Sequence, residues 1–429
     1  MIFTLLIVVF VLGYLAIALE HPIKVDKAAS ALIIGALGWV LFAFSGVDSH
    51  HITEELHHHL VDIAEILFFL LGAMTIVELI DAHEGFAIIT DKITTNKKVV
   101  LMWILSLITF FFSAALDNLT TAIVMAALLT KLIKEKETLW MFAGIVILSA
   151  NAGGAWSPIG DITTIMLWIG GQITAGSIIP NIFIPSLVCA LVPLIYLSFK
   201  LKGEIERPIL VKSKEHYLDP TSSFERNLIF YMGVGGLLFV PIFKTVTHLP
   251  PYLGMMLSLG VLWLTTEIIH RSKNHEKRAE LSVIGVLKKV DVPTIFFFLG
   301  ILLAVASLQS AGQLDIVAKY LDKTFDGNIY AINIIIGLLS SIVDNVPLVA
   351  GAMGMYEIQS IGDYAVDGKF WQFLAYCAGT GGSVLIIGSA AGVVVMGILK
   401  VDFIWYMKKI SLLALMGYLA GAATYYLMQ

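Results

Sequence analysis

Two Asp-Asn pairs stand in stretches of sequence otherwise suited to oil. "SAALDNLTTAIVM" (113–125) carries Asp117-Asn118, and "SSIVDNVPLVAGAM" (340–353) carries Asp344-Asn345. A carboxylate at the centre of a bilayer costs at least about 2.5–3.5 kcal/mol on insertion scales, so intramembrane acids are a functional signal. Two further stretches share this polar character. "NAGGAWSPIGDITT" (151–164) places Asn151, Ser157, Asp161, Thr163 and Thr164 among glycines and Pro158. "GTGGSVLIIGS" (379–389) supplies Thr380, Ser383 and Ser389 in the same kind of setting. Pro removes a backbone donor and Gly weakens helical continuity, so both stretches are predicted to be unwound. Freed carbonyls, Asn amides and hydroxyls are hard oxygen ligands suited to small cations. The positive ends of half-helices would instead favour an anion. Three carboxylates, Asp117, Asp161 and Asp344, tip the balance toward a cation with protons competing for the same oxygens. Burial favours the protonated acid and a bound cation favours the carboxylate. A group under both influences exchanges one for the other.

Plainer readings exist for each residue. Asp117, Asp161 and Asp344 are good N-caps for the helices that follow them. Thr120 and Thr121 can hydrogen-bond back onto their own helix. Glu65 and Glu78 lie 13 residues apart in one apolar run, Glu65 as a proton-pathway or interfacial acid and Glu78 as an interfacial one. The glycines at the breaks can serve packing.

The elements that would hold these groups follow from hydropathy. Of 429 residues, 58% are hydrophobic and 14% charged, against about 25% charged in soluble domains. The mean hydropathy is +0.88. Long apolar blocks between short charged loops define an all-α polytopic membrane protein and leave no basis for nucleic-acid binding. Ten spans are predicted, near 2–19, 29–46, 60–80, 139–168, 181–199, 228–243, 252–269, 292–310, 371–399 and 410–428. The first lacks a basic leader and cleavage site and reads as a span. Cys189 and Cys377 both fall in spans and read as packing residues, with no metal or disulfide framework.

Two apolar blocks fit neither one crossing nor two. Residues 99–130 contain one charge, Asp117, and residues 327–356 one charge, Asp344. Each suits a re-entrant hairpin of two half-helices of about 14 residues, with the Asp-Asn pair at its tip. The same features recur at a fixed offset. "FFLLGAM" (68–74) resembles "FFFLGIL" (296–302), and Gly153, Gly154 and Gly160 match Gly381, Gly382 and Gly388. The expected architecture is two inverted-topology repeats, 1–199 and 228–429, joined by a charged cytoplasmic linker at 200–227. Each repeat has five transmembrane helices, one discontinuous (139–168 or 371–399), plus one re-entrant hairpin. With both termini on the outer side, 23 of the 27 Lys and Arg residues face the cytoplasm. The histidine-rich "SHHITEELHHH" (49–59) reads as an outward solvated loop, and 82–93 and 311–323 as amphipathic interfacial helices.

At "SAALDNLTTAIVM", "SANAGGAWSPIGDITTIMLW" and "SSIVDNVPLVAGAMGM" the chain closely resembles the NhaD family of sodium/proton antiporters. That family lies within a larger ion-transporter superfamily that also holds sodium/dicarboxylate carriers. The resemblance covers essentially the whole chain. It implies exchange of cytoplasmic Na⁺ or Li⁺ for external H⁺, a bacterial inner-membrane location, no cofactor, and a homodimer. The matching positions are Asp117, Asn118, Asn151, Asp161, Thr163, Thr164, Asp344, Asn345, Thr380 and Ser383, with Ser113, Glu65 and Ser340 in support. Thr121 and Ser157 complete the expected cation- and proton-binding set. The Na⁺ or Li⁺ itself is expected at Asp117, Asn118, Asn151, Asp344 and Asn345. In the dicarboxylate branch the hairpin tips resemble Ser-Asn-Thr, so Asp in place of Ser at both tips speaks for the antiporter branch. A sodium-coupled carrier of a small anion is the alternative. An intramembrane aspartyl protease would need neither repeat nor hairpins, and no Gly-x-Gly-Asp stretch occurs. A channel would be insensitive to the proton gradient.

Overall fold

The computed structural model describes residues 2–90, 92–206, 221–271, 273, 278, 280–342 and 344–429. Their regular structure is helical, and the only extended pairings among them are the single bridges Lys97 to Glu204 and Gln359 to Ala365. Among the described residues, eight helices are long and apolar enough to cross a membrane. Each of the ten predicted spans coincides with a helix or with a pair of helices separated by a break.

The first five long elements are α1 (Ile2–Ala18), the short α2 (Glu20–Ile23), α3 (Lys27–Ala43), α4 (Ser49–Ala82) and the single turn α5 (Ala87–Thr90). The histidine-rich segment is not a loop. It forms the first turns of α4, where the Asp48 carboxylate accepts from the His51 N–H at 3.4 Å. Hydropathy reports where apolar burial ends, whereas a capped helix continues through polar residues. At 1.5 Å per residue, the 34 residues of α4 reach about 51 Å, well beyond a core of about 30 Å. The interfacial helix expected at 82–93 shrinks to the four residues of α5, behind a turn with Glu84 at φ 54°. At that turn His83 and His270 stack in a buried pair, their ring centres 5.1 Å apart.

The first hairpin is α6 (Lys98–Leu116) and α7 (Asn118–Leu132), joined by Asp117 alone. Its first arm has 19 residues, longer than the half-depth arm expected, and Lys98 at its start bonds Glu135 and Thr138 at 3.3 and 3.0 Å. The first broken span is α8 (Lys136–Ala155) and α9 (Ile162–Ile169); α10 (Ala175–Lys200) follows with three internal prolines. Most of the expected linker, 207–220, lies outside the described residues. Its start is anchored, since Lys98 N–H donates to Gly203 O and Ile205 N–H to Asn96 O.

The second half comprises α11 (Ser223–Thr247), α12 (Pro251–His270), α13 (Val283–Leu287), α14 (Val292–Ser310) and α15 (Gln313–Phe325). The last is the amphipathic helix expected at 311–323. The second hairpin is α16 (Ile329–Leu339) and α17 (Asn345–Met355), and the second broken span α18 (Lys369–Gly381) and α19 (Ala390–Leu399). Two further helices, α20 (Phe403–Lys409) and α21 (Ser411–Met428), close the chain.

Packing ties the halves together. Helix α3 lies along α14, and α10 along α21. The second arm of each hairpin packs on the far piece of the other half's broken span, α7 on α19 and α17 on α9. Each first arm runs so close to its own broken span that a side chain would not fit. A Cβ on Gly153 would strike the Phe110 carbonyl, and one on Gly381 the Gly337 carbonyl. Small residues at such crossings allow the backbone approach that drives helix association in lipid. The large side chains left on the outside are apolar, such as Phe44, Phe199, Tyr231 and Val246.

Candidate functional site

The two hairpin tips converge on one carboxylate. Asp161 begins α9 in an extended conformation, and its Oδ1 accepts from the Thr163 N–H at 2.9 Å and the Thr163 hydroxyl at 2.7 Å. The Thr164 hydroxyl returns the cap by accepting the Asp161 N–H at 3.2 Å, and donates in turn to the Asp161 carbonyl at 2.7 Å. The second oxygen, Oδ2, accepts from Asn118 Nδ2 at 2.6 Å. From the other half, Asn345 Nδ2 reaches Oδ1 at 3.4 Å. Asn118 also donates to Asn151 Oδ1 at 3.1 Å. Asn151 in turn donates through Nδ2 to the hydroxyls of Ser383 and Ser389, both at 2.9 Å. Asn118, Asn151, Asp161, Thr163, Thr164, Asn345 and Ser383 therefore form one buried network drawn from both halves.

Local chemistry explains why each backbone breaks here. Pro158 has no N–H to donate, and the turn it occupies is closed by Ser157, whose hydroxyl donates to the Ala114 carbonyl at 2.6 Å. Ser113 donates to the Ala150 carbonyl at 2.5 Å, and Ser340 to the Ala378 carbonyl at 3.0 Å. These two serines fasten each hairpin to its broken span at equivalent places. They hold backbone and stand outside the side-chain network, as does Thr380, which donates to Tyr376 O at 2.6 Å. Thr121 is buried, and its hydroxyl has no hydrogen-bond partner among the described residues.

The two tip acids are turned differently from their asparagines. Asp117 faces its own helix, taking the Thr120 N–H and hydroxyl, each at 2.8 Å. Asp344 caps α17 through the Val346 N–H at 3.3 Å and pairs with Lys27 at 3.5 Å. Neither makes a hydrogen bond to the network around Asp161. Glu65 stands apart on α4 toward Lys244, whose ammonium donates to Trp168 O at 2.5 Å and sits over the Trp168 ring.

Among the described residues, no Lys, Arg or His nitrogen comes within 4.0 Å of Asp117 or Asp161. Removing a carboxylate from water without a counter-charge is costly enough that such groups are neutralised by a proton or a cation. Cavities approach the site from both ends of α4. One of about 160 Å³ is lined by Glu78, Asp81, Ile123 and Lys289, and by Thr120, the residue that holds Asp117. The other, of about 300 Å³, is lined by His58, His59, Asp62 and Gln172, and by Met166 on the helix that Asp161 caps.

Sequence reasoning named Ser389 among the polar residues of the second break but left it, and Lys27, out of the binding set. Ser389, which starts α19 and bonds Asn151, lies 228 residues after Asp161, so the repeat offset points straight to it. Lys27 carries no such signal. Counting basic residues assigns it to a loop, and its partner is 317 positions away.

Helical hairpins and interrupted helices that enclose unpaired carboxylates inside an apolar bundle define a membrane transporter, with no enzyme chemistry required. Comparison with known proteins narrows the class. A family model described as "Citrate transporter" matches residues 6–372. Sodium/proton antiporter 2 of Arabidopsis thaliana is 45% identical over 417 residues, covering 97% of each chain. Sodium/proton antiporter 1 of the same plant is 46% identical over 418 residues, 97% of this chain and 71% of that one. The Na(+)/H(+) antiporter NhaD of Vibrio cholerae is 30% identical over 453 residues, 98% of this chain and 91% of the relative. The chain belongs to the family of NhaD-type sodium/proton antiporters.

Proposed function

We infer that this protein exchanges cytoplasmic Na⁺, or Li⁺, for external H⁺ by alternating access. One observation carries the reading. The amides of Asn118 and Asn345, one from each hairpin tip, meet on Asp161, a 1%-exposed carboxylate with no cationic side chain beside it among the described residues. Its charge requires a partner, and a proton or a small cation can serve, but not both at once. Binding one therefore expels the other. The hydroxyls and amide oxygens of Thr121, Asn151, Ser383 and Thr380 supply neutral ligands suited to a dehydrated Na⁺. Asp117 and Asp344 add the charge that disfavours an anion.

The repeat offset supports two inverted-topology halves that exchange roles, opening the cavity beside Asp81 in one state and that beside His59 in the other. The distribution of Lys and Arg supports both termini on the outer side, and the similarity to the Vibrio cholerae antiporter supports a bacterial inner membrane. We assign a homodimer as the working assembly.

Vesicles everted from cells without their own antiporters test the exchange. Adding Na⁺ or Li⁺ should dissipate an imposed pH gradient, and Asp161→Asn should reduce that response to background while protein accumulates normally. Full exchange by this variant would end the assignment. The match to a citrate-transporter family favours a second reading, sodium-coupled uptake of a small anion. Under that reading the response requires citrate or a related anion in the medium, whereas antiport proceeds in its absence.

A further inference from the structure

Among the described residues, Asp344 alone of the three site carboxylates has a cationic side chain within 4.0 Å. Lys27, the first residue of α3, places Nζ 3.5 Å from Asp344 Oδ2 and 4.4 Å from the centre of the Phe297 ring. Both side chains are mostly shielded, at 21% and 14% exposure. Asp344 Oδ1 already accepts the Val346 N–H, so the ammonium addresses the remaining oxygen, the one an incoming cation needs. At 3.5 Å the contact is looser than the ~2.7–2.9 Å of a strong charge-assisted hydrogen bond, and the Phe297 face offers the ammonium a second resting place. Three other ionisable groups face this pair. Glu20 on α2 accepts the Lys27 backbone N–H at 3.4 Å. Tyr14 on α1 has a buried hydroxyl with no hydrogen-bond partner among the described residues and feels the charge of Asp344, as does Asp161.

We propose that Lys27 is a built-in competitor at Asp344: its ammonium occupies the carboxylate when no transported cation is bound and yields when one arrives. The inference rests on the exchange reading given above. The carboxylate is then compensated in every state, so the second hairpin tip never holds a naked charge away from water. The same lysine weakens Na⁺ binding by competing for its oxygen, which speeds release.

Na⁺-driven exchange in everted vesicles, measured across pH for the parent, Lys27→Gln and Lys27→Arg, tests this role. In K27Q the apparent KM for Na⁺ at alkaline pH should fall roughly 10-fold with a lower maximal rate. K27R should restore both. Na⁺-induced thermal stabilisation of purified protein gives the same comparison without turnover, and half-saturation should fall by a similar factor in K27Q. Lys27→Met serves as a second neutral variant if K27Q does not accumulate. Unchanged KM in the neutral variants, or K27R behaving as K27Q does, would overturn the role of Lys27. A parent protein that responds to Na⁺ in neither assay would instead overturn the exchange itself.

Discussion

Asp117 does two things that conflict. It is the only residue between the two helices of the first hairpin, and it sits at φ 83°, ψ 159°, a backbone region that suits glycine and strains other residues. Holding a residue there costs on the order of 1–3 kcal/mol. Its carboxylate also caps α7, but glycine substitutes for a capping residue at a cost of only a few tenths of a kcal/mol. Asp117→Gly should therefore raise the unfolding temperature of detergent-purified protein, with a gain of about 1–2 kcal/mol. The same variant should lose exchange, having lost the tip carboxylate. A D117G protein that is less stable than the parent would show that the cap outweighs the strain.

Elements place these residues, and their legibility in the sequence was uneven. The breaks at 156–161 and 382–389 were readable because Pro and Gly announce themselves, and both hairpin tips were readable because a lone Asp in an apolar block is costly. Helix α4 was misjudged at "SHHITEELHHH" because hydropathy cannot see a helix that leaves the membrane. The pairing of Lys27 with Asp344 was invisible, since nothing local marks a contact between residues so far apart. Close helix crossings give a sharp test. Gly381→Val forces a branched side chain into the Gly337 carbonyl and should abolish accumulation of folded protein. Gly235→Ala, which meets nothing within 4 Å, should change stability by less than about 0.5 kcal/mol. Thermal unfolding in detergent reads both. The junction of α4 and α12 makes a pH prediction. His83 Nδ1 lies 2.7 Å from Leu79 O and must donate to it, so its bare Nε2 accepts from His270 Nε2 at 2.8 Å. Burial holds His83 below its ordinary value of 6.5. The unfolded chain then binds this proton more readily, so the contribution is intact above pH 6.5 and fades below it. The loss is at most about 1.4 kcal/mol per pH unit for one proton. Unfolding temperature should drop as pH falls from 7.5 to 5.5, and less steeply in His83→Gln.

At the scale of the whole molecule, the proposed exchange requires that the two cavities take turns. Cys189 and Cys377 are both buried, so the background for thiol labelling is low. Single cysteines at Ile123, in the cavity beside Asp81, and at Ala350, in the cavity beside His59, should report reciprocally. When Na⁺ shifts the populations, one should label faster and the other slower; parallel changes would contradict alternating access. The crossed packing of α7 on α19 and α17 on α9 has a historical consequence as well. Asp161 takes one amide from each half, so neither half encodes a complete site. Under the proposed inverted repeat, a half-length ancestor would have needed a second copy of itself, inserted the other way up, before it could hold a single ion. Fusion of two such copies into one chain would have fixed their ratio at one to one. It would also have freed each copy to keep only its own share of the ligands, leaving one with Asp161 and the other with Ser389 at the matching place.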